Sequence, residues 1–401
     1  MVVLGGGVIG LSAAWRARER GMSVTLLERD AIAQGTSRVA AGMLAPVAEV
    51  EFGEAGRRLL DLGLRSAEMW PAFAADLKAI AGMDVGLLRT GTLLVARDED
   101  EARELERQIA FRDSLGLRAE RLRPSEARER EPALAPTVRL ALEAPEDHSL
   151  DPRRLLQALR RACEASGVKL CENARALRID TDAAHARVTG VTLAGEQGLE
   201  SLAAGQVLVA AGAWVEQIEG LPAHARVPVR PVKGELLRLR DPAGPGLLAR
   251  VVRFAGGYLV PRADGRYVLG ASMEERGFDT SATAWAVHEL LRDAHELVPG
   301  VSELEIEELC VGLRPGTPDN APAIGPGSLE GLTWATGHHR NGILLAPLTA
   351  ELVVEVLMEE TPAHPTANPL LLACAPERFA PPAPALPAQP AQAPSDSVAV
   401  S

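Results

Sequence analysis

Three glycines near the start of the chain have the spacing of a dinucleotide-binding turn. Gly5, Gly7 and Gly10 fit the pattern G-x-G-x-x-G. The first glycine allows a tight turn, the second lets a pyrophosphate approach the backbone, and the third lets the following helix pack on the strand. Amide groups at the start of that helix favour phosphate. Glu28 lies 18 residues after Gly10, where a carboxylate can accept hydrogen bonds from ribose hydroxyls.

The alternative is an ordinary glycine-rich turn, because the bare pattern occurs often by chance. Here an apolar strand, Val2 to Leu4, precedes the glycines and a helical pattern follows from Leu11 to Arg20. Glu28 then ends a second apolar strand. The full context predicts a site for an adenosine-bearing dinucleotide, and the motif alone leaves FAD and NAD open.

Arg314 and Tyr258 are the side chains best suited to bind a carboxylate. Arg314 follows a buried-looking strand and precedes Pro315. Its planar guanidinium group can bind a carboxylate through two hydrogen bonds. The alternative is a structural ion pair with Asp319 or a nearby glutamate. Tyr258 is one of only two tyrosines, and its hydroxyl either shares the carboxylate or packs in the core.

Small residues dominate the stretch that follows the dinucleotide unit, from Gly35 through Thr36 and Ser37 to Ala45. The stretch is either a flexible loop or backbone laid flat against a planar ring, where side chains would be in the way. Its position directly after the dinucleotide unit favours the second interpretation.

We predict no metal site, because the eight histidines and four cysteines lack ligand spacing. His338 and His339 are interpreted as loop residues whose backbone matters. Asp147, His148 and the acidic segment 303–308 are interpreted as solvated surface.

Length and composition indicate a globular protein of about two domains, with 401 residues of which 47% are hydrophobic. The formal net charge of -12 argues against a nucleic-acid or anionic-membrane partner. No stretch approaches the roughly 18 apolar residues of a membrane span, and the N-terminus lacks a secretory leader. We therefore expect a cytoplasmic enzyme with a small-molecule substrate.

Periodicity predicts an α/β fold, α+β overall, with strands and helices in several blocks. Predicted helices cover residues 56–80, 99–115, 125–131, 152–166 and 282–297, and predicted strands include residues 90–96, 205–214, 228–240, 251–260 and 266–271. Ser125 is expected to cap the third of these helices, and Asp151 the fourth.

Seven segments together resemble the D-amino-acid oxidase superfamily of flavoproteins, and within it the glycine oxidases. They are GGGVIG with Glu28, TSRVAAGMLAP, VLVAAGAW, RPVKGELLRL, YLVPRADGRYVLGAS, GLRPGTPDNAPAIG and GHHRNGILLAPLTAELV. The resemblance spans about residues 2–360, and the last two segments are the most specific. It implies a Rossmann-like FAD-binding domain interleaved with an antiparallel-sheet substrate domain.

The implied domain boundaries divide the chain into five segments and a tail. Residues 1–82, 147–225 and 308–360 would form the FAD-binding domain, and residues 83–146 and 226–307 the substrate-binding domain. Residues 361–401 are rich in proline and alanine, and we predict a disordered tail.

The resemblance also implies which residues hold the ligands. Non-covalent FAD would contact Gly5, Gly7, Val8, Ile9, Gly10, Glu28, Arg29, Thr36, Ser37, Ala41, Gly42, Met43, Ala176, Gly212, His338, His339, Arg340, Asn341, Gly342, Ile343 and Leu344. The substrate would contact Arg314, Arg340, Tyr258, Met43 and Met273. For Arg340 the alternative is a guanidinium bonded to backbone.

The implied reaction is oxidation of glycine and related small amines by O2, which yields a 2-oxo acid, ammonia and hydrogen peroxide. Hydride transfer to flavin N5 requires placement of the substrate and no protein base. The family further implies a homotetramer and a link to thiazole synthase in thiamine production.

Two departures from the family pattern concern the substrate range. FAGG precedes Tyr258 where a polar run is expected, and His339 stands where an aromatic residue is usual. The hypotheses that compete with this one are a dehydrogenase with a non-oxygen acceptor and a flavin-binding protein without turnover.

Overall fold

The computed structural model describes residues 1–195, 198–358 and 368–380. The strands are β1 (Val2–Leu4), β2 (Thr25–Leu27), β3 (Met43–Leu44), β4 (Thr92–Ala96), β5 (Glu120–Leu122), β6 (Leu140–Ala144), β7 (His148–Ser149), β8 (Lys169–Cys171), β9 (Arg175–Thr181), β10 (Val188–Gly195), β11 (Gly198–Ala203), β12 (Val207–Val209), β13 (Arg230–Arg240), β14 (Val251–Phe254), β15 (Gly257–Pro261), β16 (Arg266–Gly270), β17 (Glu305–Gly316), β18 (Ala323–Pro326) and β19 (Leu332–Thr336). The α-helices are α1 (Val8–Glu19), α2 (Thr36–Val39), α3 (Gly53–Ala81), α4 (Glu99–Ser114), α5 (Pro124–Arg130), α6 (Pro152–Ser166), α7 (Ala284–Leu297), α8 (Ala346–Met358) and α9 (Pro369–Cys374).

A six-stranded sheet in the order β18-β19-β12-β1-β2-β8 is built around the N-terminal strand. The last five strands of this order pair in parallel, and β18 is antiparallel to β19. Every residue of β1 is buried, because helices α1, α3, α6 and α8 share a core on one face and the three-stranded sheet β11-β10-β9 covers the other. The six-stranded sheet carries the glycine turn, which follows the carboxyl end of β1.

An eight-stranded sheet in the order β17-β13-β16-β15-β14-β4-β6-β5 forms the second layer of the molecule. Its pairs are antiparallel except for β14 with β4. Helix α7 and the segment 297–301 pack on this sheet and complete a separate hydrophobic core. The predicted mixed α/β fold, with a parallel and an antiparallel sheet interleaved along the chain, is confirmed.

Two predicted strands differ from the structure. The segment 251–260 forms a hairpin, β14 and β15, because Gly256 has a φ of +88° and turns the chain between them. In the segment 205–214 only β12 is a strand, and a 3-10 helix begins at Gly212. The boundary proposed between residues 307 and 308 falls inside β17, which is continuous from Glu305 to Gly316.

Helix ends follow the predicted capping chemistry in one case and depart from it in another. Asp151 caps α6 by accepting a hydrogen bond from the Arg153 amide at 2.9 Å, as predicted. Helix α5 begins at Pro124 with Arg123 as its N-cap, so Ser125 lies inside the first turn.

Part of the predicted disordered tail is ordered. Residues 368–380 form α9 and a short 3-10 helix, and Leu371 and Cys374 are buried against the core of the parallel sheet. Arg378 secures this segment by donating to Asp319 at 2.9 Å and to the Ala321 carbonyl at 2.9 Å. These contacts join positions that are far apart in the sequence, which composition does not reveal. Residues 361–367 and 381–401 lie outside the described residues.

Within the described parts of the chain, no helix combines the length and apolar character needed to cross a bilayer.

Candidate active site

A cavity of about 450 Å³ lies between the two large sheets. One wall is formed where parallel strands end, at Leu4, Leu27, Ala210 and Thr336. The opposite wall comes from strands β13, β15 and β17 of the eight-stranded sheet. Ligands of open α/β sheets bind outside the carboxyl ends of the strands, and this cavity has that position.

The cavity brings together most of the predicted ligand-binding residues. Those that line it are Gly5, Gly7, Val8, Ile9, Glu28, Arg29, Thr36, Ser37, Ala41, Gly42, Met43, Ala176, Gly212, Tyr258, Arg314, His338, His339, Arg340, Gly342 and Ile343.

Four predicted residues do not line the cavity. Gly10 packs helix on strand, since a Cβ there would lie 2.0 Å from the Gly5 carbonyl oxygen. Leu344 is buried, and its carbonyl accepts hydrogen bonds from helix α3. Asn341 lies within the same loop, where its amide donates to the His338 carbonyl. Met273 is 63% exposed on the loop after β16 and is not among the residues that line the cavity, so its contact with the substrate stays a prediction.

The N-terminus of α1, which is the positive end of its helix dipole, faces the cavity. Gly7 is its N-cap and so provides no capping side chain of its own, and the first turn of the helix contains no acidic residue. The Val8 amide donates to the Ser37 hydroxyl at 3.1 Å. Gly5 has a φ of +111°, and a Cβ there would lie 2.5 Å from the Ala210 carbonyl oxygen. These features fit a bound pyrophosphate.

Glu28 and Arg29 stand at the end of β2, on the adenosine side of the predicted dinucleotide. One carboxylate oxygen of Glu28 accepts from the Gly6 amide at 2.7 Å and the other from the Asp30 amide at 3.1 Å. The carboxylate is thereby oriented toward the glycine turn and keeps acceptor capacity for ribose hydroxyls. The Arg29 guanidinium lies 4.0 Å from the ring centre of Trp214, which also lines the cavity.

Arg314 and Tyr258 lie together in the part of the cavity formed by the eight-stranded sheet. Burial lowers the pKa of Arg314, which the adjacent Tyr258 partly offsets, and burial raises the pKa of Tyr258. Two glycines make room for these side chains. A Cβ on Gly234 would lie 2.4 Å from the Arg314 guanidinium, and a Cβ on Gly270 would lie 2.7 Å from the Tyr258 hydroxyl.

The Arg314 guanidinium is held by hydrogen bonds to backbone carbonyls. It donates to the Lys233 carbonyl at 3.3 Å and to the Ser272 carbonyl at 3.1 Å. Asp319, the alternative partner, is paired with Arg378. Among the described residues, no carboxylate lies within 4.0 Å of this guanidinium. A partly buried cation of this kind is suited to an anionic ligand.

Arg340 is paired with an acidic side chain, not with the backbone that the alternative interpretation gave it. Its guanidinium forms an ion pair with Glu51, whose side chain is mostly exposed. Arg340 lines the cavity, so a substrate contact stays a prediction.

The loop that contains His338 and His339 leads into α8. The His338 ring nitrogen Nε2 lies 2.9 Å from the Thr349 hydroxyl, and burial lowers the pKa of His338 to about 3. Burial, followed by the charges of Arg340 and Arg314, lowers the pKa of His339 to about 3 as well. The His339 amide donates to the Pro315 carbonyl at 2.9 Å. Both rings are therefore neutral near pH 7.

The buried His338 gives a prediction for the pH dependence of stability. Its pKa is about 3 in the folded protein, against an unfolded value of about 6.5, so the unfolded chain binds one more proton between these limits. Stability is full above pH 6.5 and falls with decreasing pH. From pH 7 to pH 5 we expect a loss of about 2 kcal/mol in the free energy of unfolding from this residue.

Urea titrations at pH 7 and pH 5 measure this effect. His338→Asn is expected to reduce the difference between the two pH values, and the matched change His224→Gln, at an exposed site, is expected to leave it unchanged. Equal pH dependence in wild type and His338→Asn would contradict the prediction.

Three further residues lie at or near the cavity, and none of them is among the predicted ligand-binding residues. Asp147, interpreted as surface, is fully buried and binds the amides of Val47 and Ala48 at 3.1 and 2.7 Å. Gly234 and Glu49 line the cavity near Arg314. For Gly234 the detectable signal is a glycine inside an otherwise regular strand, which marks close approach of another group.

The fold and the cavity at the carboxyl ends of the parallel strands define a dinucleotide-dependent oxidoreductase. The chain belongs to the FAD dependent oxidoreductase family DAO, whose model matches residues 1–356. Its cofactor is FAD. The features that fit this dinucleotide are the glycine turn, the N-terminus of α1 and Glu28.

Individual relatives agree with this assignment. Glycine oxidase of Geobacillus kaustophilus is 34% identical over 92% of this chain and 95% of that protein. The crystal structure of glycine oxidase from Geobacillus kaustophilus superposes with a TM-score of 0.82 at 33% identity, covering 91% of this chain and 96% of that chain. The bifunctional protein ThiO/ThiG of Synechocystis is 35% identical over 94% of this chain, which spans only 54% of that relative. The chain is thus an FAD-dependent oxidase that acts on CH–NH2 groups.

Proposed function

We propose that the protein oxidises glycine and related small amines, such as sarcosine and D-alanine, to the 2-oxo acid. The nitrogen leaves as ammonia from glycine and D-alanine and as methylamine from sarcosine. Dioxygen takes the two electrons and leaves as hydrogen peroxide, and one water molecule is consumed when the imine hydrolyses. The observation that supports this proposal most strongly is the partly buried Arg314 guanidinium, which lines the FAD cavity without a carboxylate partner among the described residues.

The residues of the site act by binding and orientation. Arg314 holds the substrate carboxylate through two parallel hydrogen bonds, and the Tyr258 hydroxyl shares it. FAD bound in the cavity supplies the acceptor for the hydride of the substrate α-carbon. Because the α-hydrogen leaves as hydride and the amine lone pair forms the C=N bond, no side chain has to remove a proton from carbon. His338 and His339, with pKa values lowered to about 3 by burial, are weak bases.

A substrate panel with peroxide detection tests the proposal. Purified protein is expected to be yellow and to release one peroxide for each glycine or sarcosine oxidised. Turnover only with an artificial electron acceptor would favour a dehydrogenase, and the absence of turnover with all amines would favour a binding protein.

The predicted partners and location belong to this proposal. We place the enzyme in the cytoplasm, as a homotetramer linked to thiazole synthase in thiamine production. The bifunctional ThiO/ThiG relatives support the link, since this chain matches about half of such a protein. Light scattering of the purified protein measures the oligomeric state, and a dependence of growth on added thiamine after deletion of the gene tests the pathway.

A further inference from the structure

One carboxylate lines the cavity near Arg314 and Tyr258 and has no assigned role. Glu49 ends a turn at residues 45–49, just after strand β3, and its side chain is 13% exposed. Its negative charge raises the pKa of both Arg314 and Tyr258, as a smaller effect beside burial and their mutual contact. The geometry agrees, since Glu49 lies 3.5 Å from Arg253, and Arg253 is directly opposite Tyr258 in the β14–β15 pair.

The Glu49 carboxylate is only weakly engaged by the protein. Its nearest cation is Arg253, at 3.5 Å, and that guanidinium also donates to the Ala48 carbonyl at 2.8 Å. Within the described residues, no group donates a hydrogen bond to the Glu49 carboxylate. A half-enclosed carboxylate with free acceptor positions is suited to a cationic ligand group.

Buried charged side chains hold the 45–49 turn in place from both sides. Asp147 accepts from the amides of Val47 and Ala48, while Arg112 donates to their carbonyls at 2.9 and 3.0 Å. Asp147 and Arg112 have almost no exposed surface. Burial raises the pKa of the Asp147 carboxyl to about 7. Buried polar groups are unfavourable unless they are hydrogen-bonded, so this network fixes the backbone that presents Glu49.

We propose that Glu49 binds the amino group of the substrate while Arg314 binds its carboxylate. This inference rests on the proposed function. A free amino acid carries an ammonium group, and Glu49 pairs with it on entry, after which the ammonium releases its proton to solvent and the neutral amine reacts. Glu49 thereby selects amino acids over 2-hydroxy acids of the same size, which satisfy Arg314 equally well.

Steady-state kinetics of Glu49→Gln with two ligands test the proposal. Glycine is the substrate and glycolate, which has a hydroxyl in place of the amine, is the inhibitor. We expect the KM for glycine to rise at least about tenfold, because the ion pair is lost, and the Ki for glycolate to stay within about twofold. Glu54→Gln, on the exposed start of α3, is the matched control and is expected to change neither constant.

The pH profile of kcat gives a second readout that a merely structural role would not move. A nearby carboxylate raises the pKa of a bound ammonium, so in Glu49→Gln the rising limb of kcat is expected at lower pH than in the wild type. Equal changes in the glycine and glycolate constants, no change in either, or an unmoved limb would overturn the proposal.

Two controls separate this inference from other failures. If Glu49→Gln does not retain FAD, Glu49→Asp is used in its place. The aspartate variant keeps the negative charge but has a side chain shorter by one methylene. We again expect a rise in the KM for glycine and no rise in the Ki for glycolate. If the wild-type protein oxidises no amine, the proposed function fails. If it oxidises glycine and both Glu49 variants match it, only this inference fails.

Discussion

Arg314→Leu is expected to abolish nearly all turnover of glycine while the protein stays yellow. The substitution removes two charge-assisted hydrogen bonds to the substrate carboxylate, a loss of about 3–4 kcal/mol, and kcat/KM should fall by roughly a hundred- to a thousand-fold. FAD retention is expected because the glycine turn and the start of α1, which bind the cofactor, lie in another part of the cavity.

Arg314→Lys serves as the matched variant, since it keeps the charge and loses the fork. We expect it to recover only part of the activity, because an ammonium cannot reproduce bidentate binding. The measurements are kcat/KM from peroxide release and the flavin content of the purified variant. Activity of Arg314→Leu close to wild type would show that another group anchors the carboxylate.

Gly234→Ala is expected to have the second largest effect, although it adds a single methyl group. The new Cβ would lie 2.4 Å from both terminal nitrogens of Arg314, so the guanidinium must move by about an ångström. A displacement of that size at a substrate-orienting group costs roughly a hundred-fold in rate. Because the substitution leaves the charge of the site unchanged, a loss of activity would report the position of the guanidinium and not its charge.

Gly205→Ala is the control for this prediction, because a Cβ at Gly205 would meet no atom within 4 Å. It is expected to leave kcat/KM unchanged. Thermal unfolding of both variants checks that neither has lost its fold. Full activity in Gly234→Ala would mean that the guanidinium tolerates another position, and orientation by Arg314 would then be a poor account of catalysis.

The features that the sequence predicted well depend on neighbours in the chain. The strand, glycine turn and helix from Val2 to Glu19 follow from local spacing and propensity, and Glu28 lies directly after β2. Arg314 was predicted because its type and its flanking residues limit its partners. The resemblance to flavoproteins supplied the identity of the dinucleotide, which the glycines alone had left open.

The features that the sequence did not predict depend on contacts between distant segments. Asp147 binds the amide of Val47, which lies 100 residues earlier, so nothing near Asp147 distinguishes it from a surface acid. The turn at Gly256 divides a pattern that alternates like a single strand. Met273 was placed in the site by resemblance, yet its loop turns the side chain outward.

The most direct test of the central claim is to mix the purified, FAD-loaded enzyme with glycine in the absence of oxygen and follow the visible absorbance of the flavin. An oxidase whose cavity places glycine against FAD predicts complete loss of the oxidised flavin spectrum, and admission of air should restore it with one peroxide formed per flavin. A flavin that stays oxidised with glycine, sarcosine and D-alanine alike would contradict the proposed activity.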